Sequence, residues 1–412
     1  METADGAAKL TKSSLKFFVS WWHDTRVNRL LLAIVLLFVC AFGVRAEDER
    51  FLWDDATING KPVQFVLDTG TGPPVVLFST AARRLGLKVT PSNHQPDPGK
   101  AAAGTTESCD LDLGIIKART SLYVAEVPAY LKTISSVDGV LGWQLIKNNI
   151  FTLDAVKHKL KLCKVPKDAT AWTKLRLQTN SDVLDFEVSN QKGAKITVSI
   201  DTGSADGISL NPQMWREWKT THTNQPTTIN AYYNPVIGVV AEEETWTHEI
   251  ALGPLVLTDV PVMEADSTGF ALDTPLQQQY EATLGLAALK RLDIIIDGKH
   301  GIAYLRPQKT PPLPHAHNRL GANFVPASSQ NNKLVAKVAD GSPAQEAGIQ
   351  NGDVLLKLEE LDVSISDINV LRKFWMPAGT KINLTLKRGD KVFKTMVVLR
   401  NILPPDAPKN SN

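Results

Sequence analysis

The chain has 412 residues, too many for one ordinary core at roughly 150 residues per domain, so two or three domains are expected. It is 43% hydrophobic and 21% charged, with a formal net charge of +2, the make-up of a folded globular protein. That balance, with no Lys/Arg block or stripe interleaved with aromatics, excludes a nucleic-acid binder that works through a basic surface.

Residues 1–46 read as an export segment. Lys9, Lys12, Lys16, Arg26 and Arg29 precede fifteen uninterrupted apolar residues from Leu30 to Val44, and Arg45-Ala46-Glu47-Asp48 follows. A bilayer crossing needs about 20 residues, so this run suits a signal-peptide core with Val44-Arg45-Ala46 as its cleavage site. An uncleaved N-terminal membrane anchor is the alternative. Either way, the basic residues on the N-terminal side, with Trp21 and Trp22 near the interface, direct the remainder to the periplasmic or extracellular side. Cys40 does not suit a lipid-modification site, because bulky Val39 precedes it. After cleavage only Cys109 and Cys163 remain, so the fold is not built on disulfides. The two pair in an oxidising compartment, or they are two buried thiols.

The rest of the chain contains an internal repeat. Residues 47–165 run in order through a turn at Asn59-Gly60, the strand VQFVLDTG ending at Gly70, a helical stretch from Ser79 to Leu87, and strands between Leu111 and Ala125. Val140-Leu141-Gly142 and the closing run FTLDAVKHKLKLC complete this first unit. Residues 174–306 repeat the order: a turn at Gln191-Lys192-Gly193, ITVSIDTG ending at Gly203, a short helix from Asn211 to Trp218, a polar loop, and strands TWTHEIALG and VLTDVPVME. Thr283-Leu284-Gly285, a helix through Arg291 and the strand LDIIIDG close it. Asp68 maps to Asp201 at an offset of 133, and Leu141-Gly142 to Leu284-Gly285 at 143, so the second copy has about ten more residues in its middle. Short β-branched runs divided by Gly, Asn and Asp make both copies mainly β.

Residues 307–318, PQKTPPLPHAHN, are Pro-rich and read as a solvated linker carrying His315 and His317; no further ligands complete a metal site. A third unit at 319–402 begins Arg319-Leu320-Gly321-Ala322-Asn323-Phe324 and holds Gly341-Ser342-Pro343-Ala344, Ala347-Gly348-Ile349 and Asn351-Gly352-Asp353-Val354. The tail 403–412 is expected to be disordered.

The paired Asp-Thr-Gly segments carry the chemistry. An isolated buried carboxylate at a strand end is costly, so it needs a partner or a task. Thr can hydrogen-bond backbone in a tight turn, and Gly clears space where two backbones approach. Two such loops meeting at a pseudo-twofold axis place their carboxyls side by side, where they share one proton. One acid and one base facing a single water can attack a peptide carbonyl with neither metal nor cofactor.

Residues 50–306 resemble the retropepsin-like and pepsin-like aspartic proteases. The resemblance rests on Asp68-Thr69-Gly70-Thr71 with Val140-Leu141-Gly142, and on Asp201-Thr202-Gly203-Ser204 with Thr283-Leu284-Gly285. Thr283 stands where the family has an apolar residue, a small departure. The resemblance implies a mainly β fold with two retropepsin-like β-barrel lobes in one chain. It also implies that Asp68 and Asp201 activate the water, that Thr69 and Thr202 interlock the loops, and that Gly70, Thr71, Gly203 and Ser204 support them. Flap hairpins would lie near Ala103-Gly104-Thr105-Thr106 and near Tyr232-Tyr233. Pro73 and Pro74, after the first loop, stiffen it, which would reshape the substrate cleft or spoil it by holding Asp68 away from Asp201. Thr71 and Ser204 hydroxyls bonded to the ionised pair would lower its pKa and favour acidic activity.

The third unit resembles a PDZ domain of the kind attached to bacterial exported proteases. By that resemblance Leu320, Gly321, Ala322, Asn323 and Phe324 form the loop that receives a peptide C-terminus, or the unit only docks. The implied function is hydrolysis of polypeptides by an aspartic endopeptidase, with the N-terminal segment at the membrane if uncleaved. A catalytically inactive pseudo-protease that binds peptides as a scaffold is the alternative reading. Pairing of each lobe with the same lobe of another chain remains an option, although two copies in one chain make internal pairing simpler.

Overall fold

A computed structural model describes residues 42–43, 50–91, 103–126, 137–165, 168–190, 193–234, 238–265, 280–309, 315–328, 331–363 and 371–404. The expected export segment lies outside them except for Phe42–Gly43, as do residues 405–412 of the expected tail and the turn residues Gln191 and Lys192. Among the described residues no helix is long and apolar enough to cross a membrane.

The protein is mainly β, with two barrel-like lobes and a third sheet domain. In the first lobe, strand Lys61–Asp68 alternates early and then buries its last four residues, the pattern of a strand entering a core. Strand Gly139–Gly142 lies parallel beside it, with Gly142 opposite Asp68, and strand Val75–Phe78 runs antiparallel on the far side. The second lobe repeats this unit. Strand Lys195–Ile200 has Ala282–Leu284 parallel beside it, and Ile208–Leu210 lies antiparallel beyond that. The expected Leu-Gly segments therefore pass beside the Asp-Thr-Gly loops in both lobes. Gly142 is required there, since a Cβ on it would lie 2.1 Å from the Pro73 carbonyl oxygen.

The expected helices form as Ser79–Leu85, Pro212–Thr221 and Leu286–Leu289. Pro212–Thr221 starts where Asn211 accepts from the Met214 N–H, with Pro at the first turn. The polar loop expected before TWTHEIALG is instead one arm of a long hairpin, Thr228–Asn234 paired with Gly238–Leu252. Its buried Ile229, Ala231 and Ala241 pack against Val325 and Ala339 of the third domain, a partner that local hydropathy does not reveal.

The lobes are joined by a five-stranded sheet drawn from both: Lys159–Leu162, Ile150–Asp154, Leu292–Asp297, Ile302–Pro307 and Thr173–Arg176. Phe151 of the first lobe pairs with Ile296 of the second, and both are fully buried. The two copies thus pair within one chain. Cys109 is buried and Cys163 half-buried, and neither forms a disulfide.

The solvation expected at His315 and His317 is corrected. Pro307 ends a strand, and His315, His317 and Asn318 are buried. His315 Nε2 lies 2.8 Å from Glu244 Oε1, and His317 Nε2 accepts the N–H groups of Ile402 and Leu403, each at 3.3 Å. These partners are 71 and 85–86 residues away, out of reach of a local reading. Leu403, expected in a disordered tail, is 1% exposed. The third domain has the strand order Ala322–Ser328, Asn331–Val338, Val354–Leu358, Lys381–Arg388 and Lys391–Val398, which leaves Ala322–Ser328 at an edge.

Phe151→Ala should cost about 3–5 kcal/mol, since it opens a cavity in the sheet that joins the lobes. Thermal or urea unfolding measures the loss, and a change under 1 kcal/mol would mean that this sheet does not bind the lobes together.

Candidate active site

Both Asp-Thr-Gly loops leave buried strand ends and meet. Thr69 N donates to Thr202 Oγ1 at 3.1 Å, and Thr202 N donates to Thr69 Oγ1 at 3.1 Å. Each hydroxyl then crosses to the other lobe's strand: Thr69 Oγ1 donates to the Ile200 carbonyl at 2.6 Å, and Thr202 Oγ1 to the Leu67 carbonyl at 2.9 Å. Both threonines are at most 1% exposed, so every one of these bonds is shielded from water.

This interlock fixes the carboxyls. Each carboxyl lies against the glycine of the opposite loop. A Cβ on Gly70 would lie 2.6 Å from Asp201 Cγ, and one on Gly203 would lie 2.5 Å from Asp68 Cγ, so only glycine admits the opposite carboxyl. Gly70 N donates to Asp68 Oδ1 at 2.8 Å and Thr71 Oγ1 to Asp68 Oδ2 at 2.9 Å. Asp201 Oδ1 accepts the Gly203 and Ser204 N–H groups at 2.8 and 3.1 Å.

The second hydroxyl does not follow the first. Ser204 Oγ donates to Asp206 Oδ2 at 3.2 Å, and Asp206 Oδ1 accepts from Asn230 Nδ2 at 2.7 Å. The expected lowering of the pair's pKa is also corrected. Burial raises Asp68 well above its usual value, aided by the charge of Asp201, and outweighs the Thr71 and Gly70 bonds. Burial likewise raises Asp201, against the bonds from Asp68, Gly203 and Ser204, while the charge of Asp206 adds to the rise. Both carboxyls therefore resist ionisation to higher pH than an ordinary carboxylate would.

Pro73 and Pro74 do not separate the carboxyls. They lie beyond the contact between the loops, and the Pro74 carbonyl accepts from Gly142 N at 3.0 Å, which needs no proline N–H. The residues expected as flaps lie in hairpins: Ala103–Thr106 pairs with Val89–Pro91, and Tyr232 and Tyr233 pair with Val240 and Val239.

In the third domain Leu320, Gly321, Ala322, Asn323 and Phe324 are all buried. Leu320 N and Gly321 N donate to Asn318 Oδ1 at 2.9 and 3.3 Å. No group of three or more His, Cys, Asp or Glu able to hold a metal occurs among the described residues.

Residues 55–145 match the family model described as aspartyl protease, and residues 318–399 match that of a PDZ domain. The chain carries an aspartyl-protease domain and a C-terminal PDZ domain. The aspartyl-protease match stops within the first lobe, but the second lobe repeats the same strand unit and supplies Asp201. No curated protein is similar enough to the chain to count as a match.

Sequence reasoning missed Asp206, Asn230, Asp185 and Tyr280. Asp206 has a visible signal: the second loop carries an acid where the first, at an offset of 133, carries Pro73. Asp185 is 1% exposed; its Oδ2 accepts from Ser181 Oγ at 2.9 Å, and its Oδ1 has no hydrogen-bond partner. Burial pushes its carboxyl up to about 7. Burial also raises the Tyr280 hydroxyl, followed by the charge of Asp185; Ser181 bonds it and pulls the other way.

Thr202→Val leaves Thr69 N and the Leu67 carbonyl without their partner, at about 1–3 kcal/mol per orphaned group. A melting temperature unchanged from wild type would remove the interlock from the account. Asp185 gives a pH signature. Its neutral form is kept in the fold, so its contribution is fully present below pH ~4 and is lost as pH rises to about 7, on the order of 4 kcal/mol. Melting temperature should fall across that window, and Asp185→Asn should flatten the fall; an unchanged slope in the variant refutes the assignment.

Proposed function

We propose that the chain is an aspartic endopeptidase that hydrolyses polypeptides. The observation that carries this reading is the buried Asp68–Asp201 pair, held by reciprocal threonine bonds across two lobes. In the reaction the ionised member of the pair takes a proton from a water poised between the carboxyls as that water attacks the peptide carbonyl. The protonated member donates to the carbonyl oxygen, which gives a neutral tetrahedral intermediate. Its collapse returns one proton to the pair and delivers the other to the leaving amine. The Gly70, Thr71, Gly203 and Ser204 bonds hold each carboxyl in place without consuming that shared proton. The raised pKa of both members favours a pH profile whose alkaline limb lies above the usual carboxylate range.

The apolar run Leu30–Val44 with basic residues before it supports placing this activity outside the cytoplasm, with or without retention at a membrane. A C-terminal reporter that works only outside the cytoplasm tests this, and a reporter silent in an expressed, stable fusion refutes it.

The decisive experiment follows cleavage of an unfolded fluorogenic protein by wild type, Asp68→Asn and Asp201→Asn. Each variant should lose at least ~1,000-fold in kcat while remaining folded by circular dichroism. A pepstatin-type inhibitor should block wild type. Equal behaviour of all three proteins would leave an inactive peptide-binding scaffold as the reading.

A further inference from the structure

A PDZ domain receives a peptide by adding it to an edge strand while backbone N–H groups at the head of that strand hold its terminal carboxylate. Here that head is already engaged at three points. Asn318 Oδ1 accepts the Leu320 and Gly321 N–H groups, which are the donors such a carboxylate would use. Arg319 N donates to the Trp375 carbonyl at 2.9 Å and the Arg319 guanidinium reaches the Met376 carbonyl, which draws the loop against the segment that faces it. Trp375, 1% exposed, lies with its ring centroid 6.0 Å from that of Phe324. The second lobe covers the edge strand itself, with Ile229, Ala231 and Ala241 against Val325.

Asn318 also fastens the domain to that lobe. Its Nδ2 donates to the Ile229 carbonyl at 2.9 Å and to the Ala322 carbonyl at 2.8 Å, and its own carbonyl accepts from Thr228 Oγ1 at 2.6 Å. Lys337 adds an ion pair to Glu242 at 2.8 Å. One 5%-exposed side chain therefore fills the carboxylate cradle and ties the PDZ domain to strand Thr228–Asn234.

We propose that Asn318 is a latch: it holds the PDZ carboxylate site shut and bound to the second lobe, so that a peptide C-terminus enters only when the domain lets go of the Thr228–Asn234 strand. A carboxylate can replace the amide oxygen because charge-assisted bonds to backbone N–H groups are roughly twice as strong as neutral ones. This reading rests on the PDZ assignment and does not depend on cleavage.

The test uses the full chain with Asp68→Asn, so that nothing is cut, and a fluorescein-labelled octapeptide ending in valine as the free acid or as the carboxamide. Without further change the protein should bind neither form. With Asn318→Gly added, the free acid should bind with at least ~10-fold preference over the carboxamide. Equal free-acid affinity with and without Asn318→Gly overturns the proposal, and so does a folded Asn318→Gly protein that binds neither form. Should that variant fail to fold, Asn318→Asp decides. It keeps an oxygen in the cradle but loses the donor to Ile229, so hydrogen exchange at residues 229–231 should accelerate while both peptides stay excluded. Unchanged exchange there refutes the latch. A failure of the cleavage experiment with correct binding results would leave the latch standing without the protease reading.

Discussion

The structure depends on four hydrogen bonds between two threonines and the two strands they follow. Thr69 and Thr202 each donate across the pseudo-twofold axis and each accept from the other's backbone, so neither loop is satisfied without its counterpart. Loss of one threonine leaves buried polar groups in the opposite lobe unpaired, and that penalty exceeds the net worth of the bonds themselves. The position of the carboxyls follows. The grip lies one residue beyond each Asp, and the small Gly70 and Gly203 beyond it let the opposite carboxyl close in.

The symmetry holds at the strands and breaks at the polar groups. Both lobes use the same arrangement of a parallel Leu-Gly strand beside the Asp strand. Yet Asp68 receives the Thr71 hydroxyl, whereas the Ser204 hydroxyl turns to Asp206, which is itself held by Asn230 from the long hairpin. Asp201 thus stands beside a second acid tied to that hairpin. Ile229, the residue before Asn230, is the one held by Asn318, so the PDZ domain and the Asp201 loop act on adjacent residues of one strand.

The amino-acid sequence made the strand plan and both aspartates of the candidate site legible because they repeat: two apolar strands with the same polar ending and two later Leu-Gly segments, in the same order. Features that join distant segments were not legible. His315 and His317 sit in a Pro-rich stretch whose composition suggests solvent, but their partners, Glu244 and the backbone of residues 402–403, lie far along the chain and bury them. The Ser204 hydroxyl could be placed near the pair but not oriented, because its competing partner Asp206 depends on Asn230. The pKa direction failed for a related reason. Counting hydroxyl donors is local, whereas desolvation is set by the packing of both lobes around the loops.

The five-stranded sheet that joins the lobes has a consequence for how much protein must be present. A site assembled from two separate copies dissolves on dilution, since its population follows mass action. Here Ile150–Asp154 and Leu292–Asp297 belong to one chain and pair within it. Each half therefore meets its counterpart at a tethered, effectively fixed concentration. The meeting of the two Asp-Thr-Gly loops becomes a property of each molecule at any abundance, and the two halves need not remain identical to remain partners. That freedom is already visible in the proline pair of one loop and the extra acid of the other.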